Sequence, residues 1–179
     1  MVLERLRAQM NFSRVHGAVK EMITAATPGV RTVAVGKELC VGRLEDWKCF
    51  PDFLRDYLRQ DIWTKETWEA EYAKPPAQRH PAMRWYDCLI EAQQKAVLDS
   101  RGRTPIKNGS ANAYFRLAYD LYLNGHNTDL STRLLHRLRD PNQFQGARFE
   151  LAVAAMMLTA GYELQFLNDK GPGPRVEFV

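Results

Sequence analysis

Two acidic side chains sit where acids are seldom found. Glu150 lies in FQGARFELAVAAMMLTAG, and from Phe149 to Tyr162 it is the only charged residue; Glu177 interrupts the apolar run Val176, Phe178, Val179. A carboxylate withdrawn from water is costly unless it is paired or holds a cation. Two that converge can bind a hard divalent ion such as Mg²⁺, which takes oxygen ligands and activates water for attack on a phosphodiester. Each also has a plainer reading. An acid in the first turns of a helix is favoured by the helix dipole, and an acid on a strand can face outward from an edge.

These side chains need a frame to bring them together. Gln145 to Thr159 predicts a helix that is apolar nearly all round, the kind enclosed on several sides and commonly packed against a sheet. Gly161 ends it. Tyr162, Leu164 and Phe166 then alternate with Glu163, Gln165 and Asn168, predicting a half-buried strand. After NDKGPGP, residues 176–179 predict a second strand carrying Glu177.

The preceding residues read as mostly helical. Apolar spacing predicts helix from residue 1 to about 26, with a break at Asn11-Phe12-Ser13 and a stop at Thr27-Pro28-Gly29. RTVAVGKELCVGRL predicts a short hairpin turning at Gly36-Lys37, which must lie on something to be stable. WKCFPDFLRDYLRQDIW places Trp47, Phe50, Phe53, Leu54, Tyr57 and Leu58 on one helical face, with Pro51 in the first turn. Thr64 caps a short helix through Trp68 and Tyr72, and KPPAQRHP is a loop. Further helices follow: MRWYDCLIEAQQKAVLDS, then Ala111–Leu123 stopped at Asn124-Gly125 by a left-handed cap, then LSTRLLHRLRD capped by Asp129 or Ser131. The expected class is mainly α with an α+β C-terminal part. The boundary falls near 140–143, dividing a helical region with a hairpin (1–142) from an α/β unit (143–179).

A net charge of +4 and a pI near 9.0 permit a polyanionic partner without requiring one. The best-placed cations are Arg133, Arg137 and Arg139, joined by His136, on one face of LSTRLLHRLRD; they are candidates to follow a DNA backbone. The four histidines, His16, His80, His126 and His136, lack zinc-ligand spacing, and His80 reads as a packed loop residue. GKELCVG and GPGP lack the phosphate-loop pattern. Cys40, Cys49 and Cys88 read as buried reduced thiols, which suits the cytoplasm. No apolar run is long enough to span a membrane, and MVLERLRAQM lacks a secretory core.

The stretch FQGARFELAVAAMMLTAGYELQFLNDKGPGPRVEFV resembles the start of the PD-(D/E)XK, or restriction-endonuclease-like, superfamily core. WKCFPDFLRDYL, KPPAQRHPAMRWYD and ANAYFRLAYDLYL are similar to uncharacterised bacterial proteins that place a helical region before such a core. The resemblance implies a helix acid at Glu150 and the acid of the PD element at Glu177, both Mg²⁺ ligands and catalytic, in a DNA-cleaving hydrolase. Val176 stands where that pattern has proline, Glu177 where it has aspartate, and the acid-x-Lys strand that should follow Glu177 is absent, as the sequence stops at Val179. The chain is therefore expected to be inactive as it stands and active only within a longer parent. The alternative is a non-catalytic helical module that meets a protein partner or a second copy of itself.

Overall fold

The computed structural model describes residues 19–95 and 108–166. Three strands, β1 (Thr24–Thr27), β2 (Val30–Val35) and β3 (Glu38–Arg43), form an antiparallel meander in sequence order. Six helices follow: α1 (Phe50–Ile62), α2 (Lys65–Tyr72), α3 (Pro81–Lys95), α4 (Gly109–Asn127), α5 (Thr132–Arg139) and α6 (Phe144–Thr159), with one 3₁₀ turn at Pro76–Gln78. The protein is thus mainly helical with a small sheet. No helix among the described residues is long and apolar enough to cross a membrane.

The expected hairpin is present as β2–β3, reversed by Gly36 at φ +60°. It carries an additional strand. Thr24–Thr27, expected as the end of a helix, instead pairs with Val30–Val33 across a turn in which Gly29 takes φ +80°. Pairing with an apolar neighbour outweighed the local helical spacing, as tertiary contacts commonly do. Residues 19–23, also expected in that helix, are not helical; its residues 1–18 lie outside the described residues, as do 96–107 and the second C-terminal strand at 176–179.

Helix α4 is the axis of the fold. It packs against α1, α3, α6 and β2, and Tyr114, Leu117, Ala118 and Leu121 along it are almost fully buried. Its expected stop at Asn124-Gly125 does not occur. The helix continues to Asn127, because Asn124 is buried and donates from Nδ2 to the carbonyls of Asp120 (2.7 Å) and Leu151 (3.1 Å). Gly125 stays helical and serves as a close-contact point: a Cβ there would meet Tyr57 Oη at 3.1 Å and Val35 Cγ1 at 3.2 Å. Across the same contact, a Cβ on Gly36 would come within 2.7 Å of the Gly125 carbonyl oxygen. Two glycines therefore let the meander lie directly on α4.

The aromatic face of α1 docks as its spacing predicts. Phe53, Leu58 and Ile62 are fully buried, Phe53 stacks on Tyr57 at 5.3 Å, and Trp47 meets Phe53 edge-on at 5.1 Å. Burying one such side chain contributes about 1.5–3 kcal/mol. Thr64 caps α2 by accepting the Thr67 N–H at 3.3 Å. Ser131 is the N-cap of α5 but makes no side-chain cap bond.

Helix α6 begins after the Asp140–Gln143 turn, where the domain boundary was expected. Phe144, Ala147 and Leu151 share one core with α1, α3 and α4. Gly161 takes φ +96° and closes the helix, its N–H donating to the Leu158 carbonyl at 3.0 Å and that of Tyr162 to Met157 at 3.1 Å. Residues 162–166 do not form the strand that their alternation predicts. Alternation supplies a face but not a neighbour, and among the described residues they have no ladder partner. Leu164 and Phe166 still pack inward.

Candidate functional site

Glu150 lies on the flank of α6 that faces α5. Its position is one turn after Ala147 and one before Ala154, at the border between the buried and the outward side of the helix. Arg137 of α5 donates from Nη1 to Glu150 Oε2 at 2.5 Å, with 24% and 20% of the two side chains exposed. The proposed metal ligand and one of the proposed phosphate contacts are thus each other's counterion.

The other arginines of α5 separate. Arg139 donates from Nε to the carbonyl of Ile62 and from Nη2 to that of Asp61 at 3.5 Å, completing the C-terminal end of α1. A cation at that end is favoured by the helix dipole. Arg133 lies on the exposed side of α5. Glu177 is outside the described residues, so only Glu150 of the expected acid pair is placed. No group of three or more metal-ligating side chains occurs among the described residues. Glu150 alone fits a hard cation by donor type, and Arg137 already holds one of its oxygens.

Two acids not singled out by the sequence pattern carry the perturbed electrostatics. Asp120 is 3% exposed, between α4 and α6; burial pushes its carboxyl up to about 6 against the opposing pull of Arg116. Arg116 Nε donates to Oδ2 at 3.1 Å and lies 3.0 Å from Oδ1, which has no hydrogen-bond partner. Asp61 is also pushed up to about 6, first by burial and then by Glu38, with Arg139 opposing. For Asp120 a signal existed: it sits among LAYDLYL on the buried face, one turn from Arg116.

Two histidines are structural. His80 is 1% exposed, and its Nδ1 accepts the Ala82 N–H at 3.2 Å at the start of α3. His126 clips the meander to α4: Nδ1 accepts the Gly36 N–H at 3.3 Å, and Nε2 lies 3.0 Å from the Glu21 carbonyl. Cys49 departs from the expectation of a buried thiol; it is exposed at the N-cap of α1, donating to Asp52 Oδ2 at 3.2 Å, whereas Cys40 and Cys88 are half-buried.

Comparison with known proteins adds no family. No family model, curated protein or solved structure matches this chain.

Proposed function

We propose that the chain carries the helical region and the opening of a PD-(D/E)XK-type nuclease core, with Glu150 and Glu177 as Mg²⁺ ligands for hydrolysis of DNA phosphodiesters. The supporting observation is the two-sidedness of α6. Ala147, Leu151, Ala154 and Leu158 are buried against α4 and α5. Opposite them, Phe149, Ala152, Val153 and Met156 form an apolar stripe, with Phe149 71% and Met156 54% exposed. A helix apolar on both sides is made to lie between two layers. The helices supply one layer; in this reading a sheet built from the residues after α6 supplies the other. Glu150 then stands at the seam between the layers, where an acid from a neighbouring strand can meet it.

When bound, Mg²⁺ would supply charge stabilisation and a water of lowered pKa. Glu150 would offer its carboxylate oxygen to the ion in place of Arg137, which holds the side chain until the ion binds. The reading requires an acid-x-Lys after Glu177, where these 179 residues have none, so it applies to a longer chain in which one follows. In that chain, Glu177→Ala should abolish Mg²⁺-dependent nicking of supercoiled DNA while circular dichroism stays unchanged. Undiminished nicking would remove Glu177 from the site.

The second reading is a non-catalytic interaction module. It is favoured by the Arg137–Glu150 pair, which satisfies the carboxylate without any metal, and by the same bare stripe, which would then meet a protein partner or a second copy. A downstream sequence without acid-x-Lys on an apolar strand supports the module.

A further inference from the structure

We infer that the cleft between the end of α1 and the start of α2 is a binding site for one nucleotide, its phosphate on Arg59 and Lys65 and its base against the tryptophan wall. This deepens the nuclease reading by naming where a substrate strand would be gripped away from Glu150. The cleft has a volume of about 320 Å³, and Arg59, Trp63, Lys65, Trp68 and Glu69 are among the residues that line it. That volume lies within the range of small-molecule sites.

Arg59 carries the inference. It is half-buried, its guanidinium carbon lies 5.9 Å from the Trp68 ring centroid, and its side chain makes no hydrogen bond or ion pair with any described residue. Three other arginines on α1 and α5 contrast with it: Arg55 is paired with Asp56 at 3.2 Å, Arg137 with Glu150, and Arg139 with backbone carbonyls. A half-withdrawn guanidinium without an acceptor among the described residues is suited to a planar anion, which it can bind through two donors at once. Lys65 adds a second positive charge, 83% exposed and only loosely held by Glu69 at 3.9 Å. Counting Glu69, the cleft keeps a net positive charge.

The walls favour an aromatic body over a bare anion. Trp63 and Trp68 meet at 71° with centroids 5.4 Å apart, and the guanidinium adds another flat surface. Bases bind to such surfaces by stacking on aromatic rings and on guanidinium planes. Trp68 is itself packed by Tyr72, stacked at 6.2 Å, and Tyr86, edge-on at 5.3 Å.

The test titrates the 179-residue chain with adenosine monophosphate, adenosine and inorganic phosphate, following indole N–H resonances. The monophosphate should shift Trp63 and Trp68 saturably, and adenosine and phosphate should each bind about 10-fold more weakly or worse, since each lacks one half of the recognition. Arg59→Gln should weaken the monophosphate by about 10-fold or more. Lys65→Gln, at an exposed position that cannot disturb the core, should weaken it by about 3-fold and flatten its salt dependence. Shifts confined to Trp47 or Trp85, equal affinity for phosphate alone, or unchanged affinity in the Lys65→Gln and Arg59→Gln proteins would overturn the site. None of these readouts involves Glu150, Glu177 or Mg²⁺, so failure here leaves the nuclease reading standing, and loss of nicking in Glu177→Ala does not bear on the cleft.

Discussion

Acidification should weaken this protein through the buried ring of His80. The ring is 1% exposed, 4.6 Å from Phe144 and 5.1 Å from Trp63 by ring centroids. Burial lowers its pKa from 6.5 to about 4, and Arg84 acts in the same direction; Glu71, Asp140 and the Leu138 backbone oppose but do not cancel it. The unfolded chain therefore takes up a proton at higher pH than the folded one. Stability from the neutral buried ring is complete above pH 6.5 and is lost as pH falls towards 4. At about 1.36 kcal/mol for each pH unit, that interval corresponds to about 3 kcal/mol. Asp61 and Asp120 work the other way, since their raised values favour the folded state at low pH. A variant comparison isolates the histidine. His80→Asn keeps a short acceptor near the Ala82 N–H but does not titrate, and both acids remain in each protein. Urea unfolding at about pH 7, 6, 5 and 4.5, followed by tryptophan fluorescence, should show the wild type losing about 2–3 kcal/mol relative to His80→Asn across the range. A difference between the two proteins that stays flat with pH would refute the assignment.

Three further outcomes follow from single contacts. In a double-mutant cycle of Arg137→Gln and Glu150→Gln, the coupling measured by denaturant unfolding should be about 1–2 kcal/mol, above a surface pair because both side chains are largely shielded. Asp120→Asn should gain on the wild type as pH rises from 4 to 7, by up to about 3 kcal/mol, because the wild-type carboxylate must ionise inside the α4–α6 contact above about pH 6. Gly36→Ala should cost about 1–3 kcal/mol, seen as a lowered Tm, since the position combines φ +60° with a Cβ contact of 2.7 Å to backbone.

The helices were legible where a single face carried the signal. Phe53, Leu54, Tyr57 and Leu58 recur at helical spacing, and the structure buries all four. Residues that answer to partners distant in the chain were not. Thr24–Thr27 reads as helical until β2 is placed beside it, and Asn124-Gly125 reads as a stop until Leu151 offers a carbonyl to Asn124 and Val35 closes over Gly125. The basic face of α5 shows the same limit. Arg133, Arg137 and Arg139 form one row in the sequence, but Arg137 turns to α6 and Arg139 to the end of α1. Charge spacing along one helix does not disclose which carboxylate or carbonyl another helix will bring.

The Arg137–Glu150 pair makes the two expected roles of these residues conditional on each other. While Arg137 holds Glu150 Oε2, it is not available to a phosphate; a divalent cation on Glu150 would both repel the guanidinium and take its acceptor. In a longer chain with the completed acid set, DNA binding should therefore have a steeper salt dependence with Mg²⁺ than with EDTA, by about one phosphate contact. Arg137→Gln should remove that increment and leave the EDTA value unchanged. Affinity of the Arg137→Gln protein for Mg²⁺ alone, read by calorimetry, should rise by about 10-fold, because the ion no longer competes with a fixed positive charge. If Mg²⁺ affinity is unaltered by Arg137→Gln, Glu150 is a structural acid whose only counterion is arginine. The bare stripe of Phe149 and Met156 would then belong to a partner surface rather than to a catalytic core.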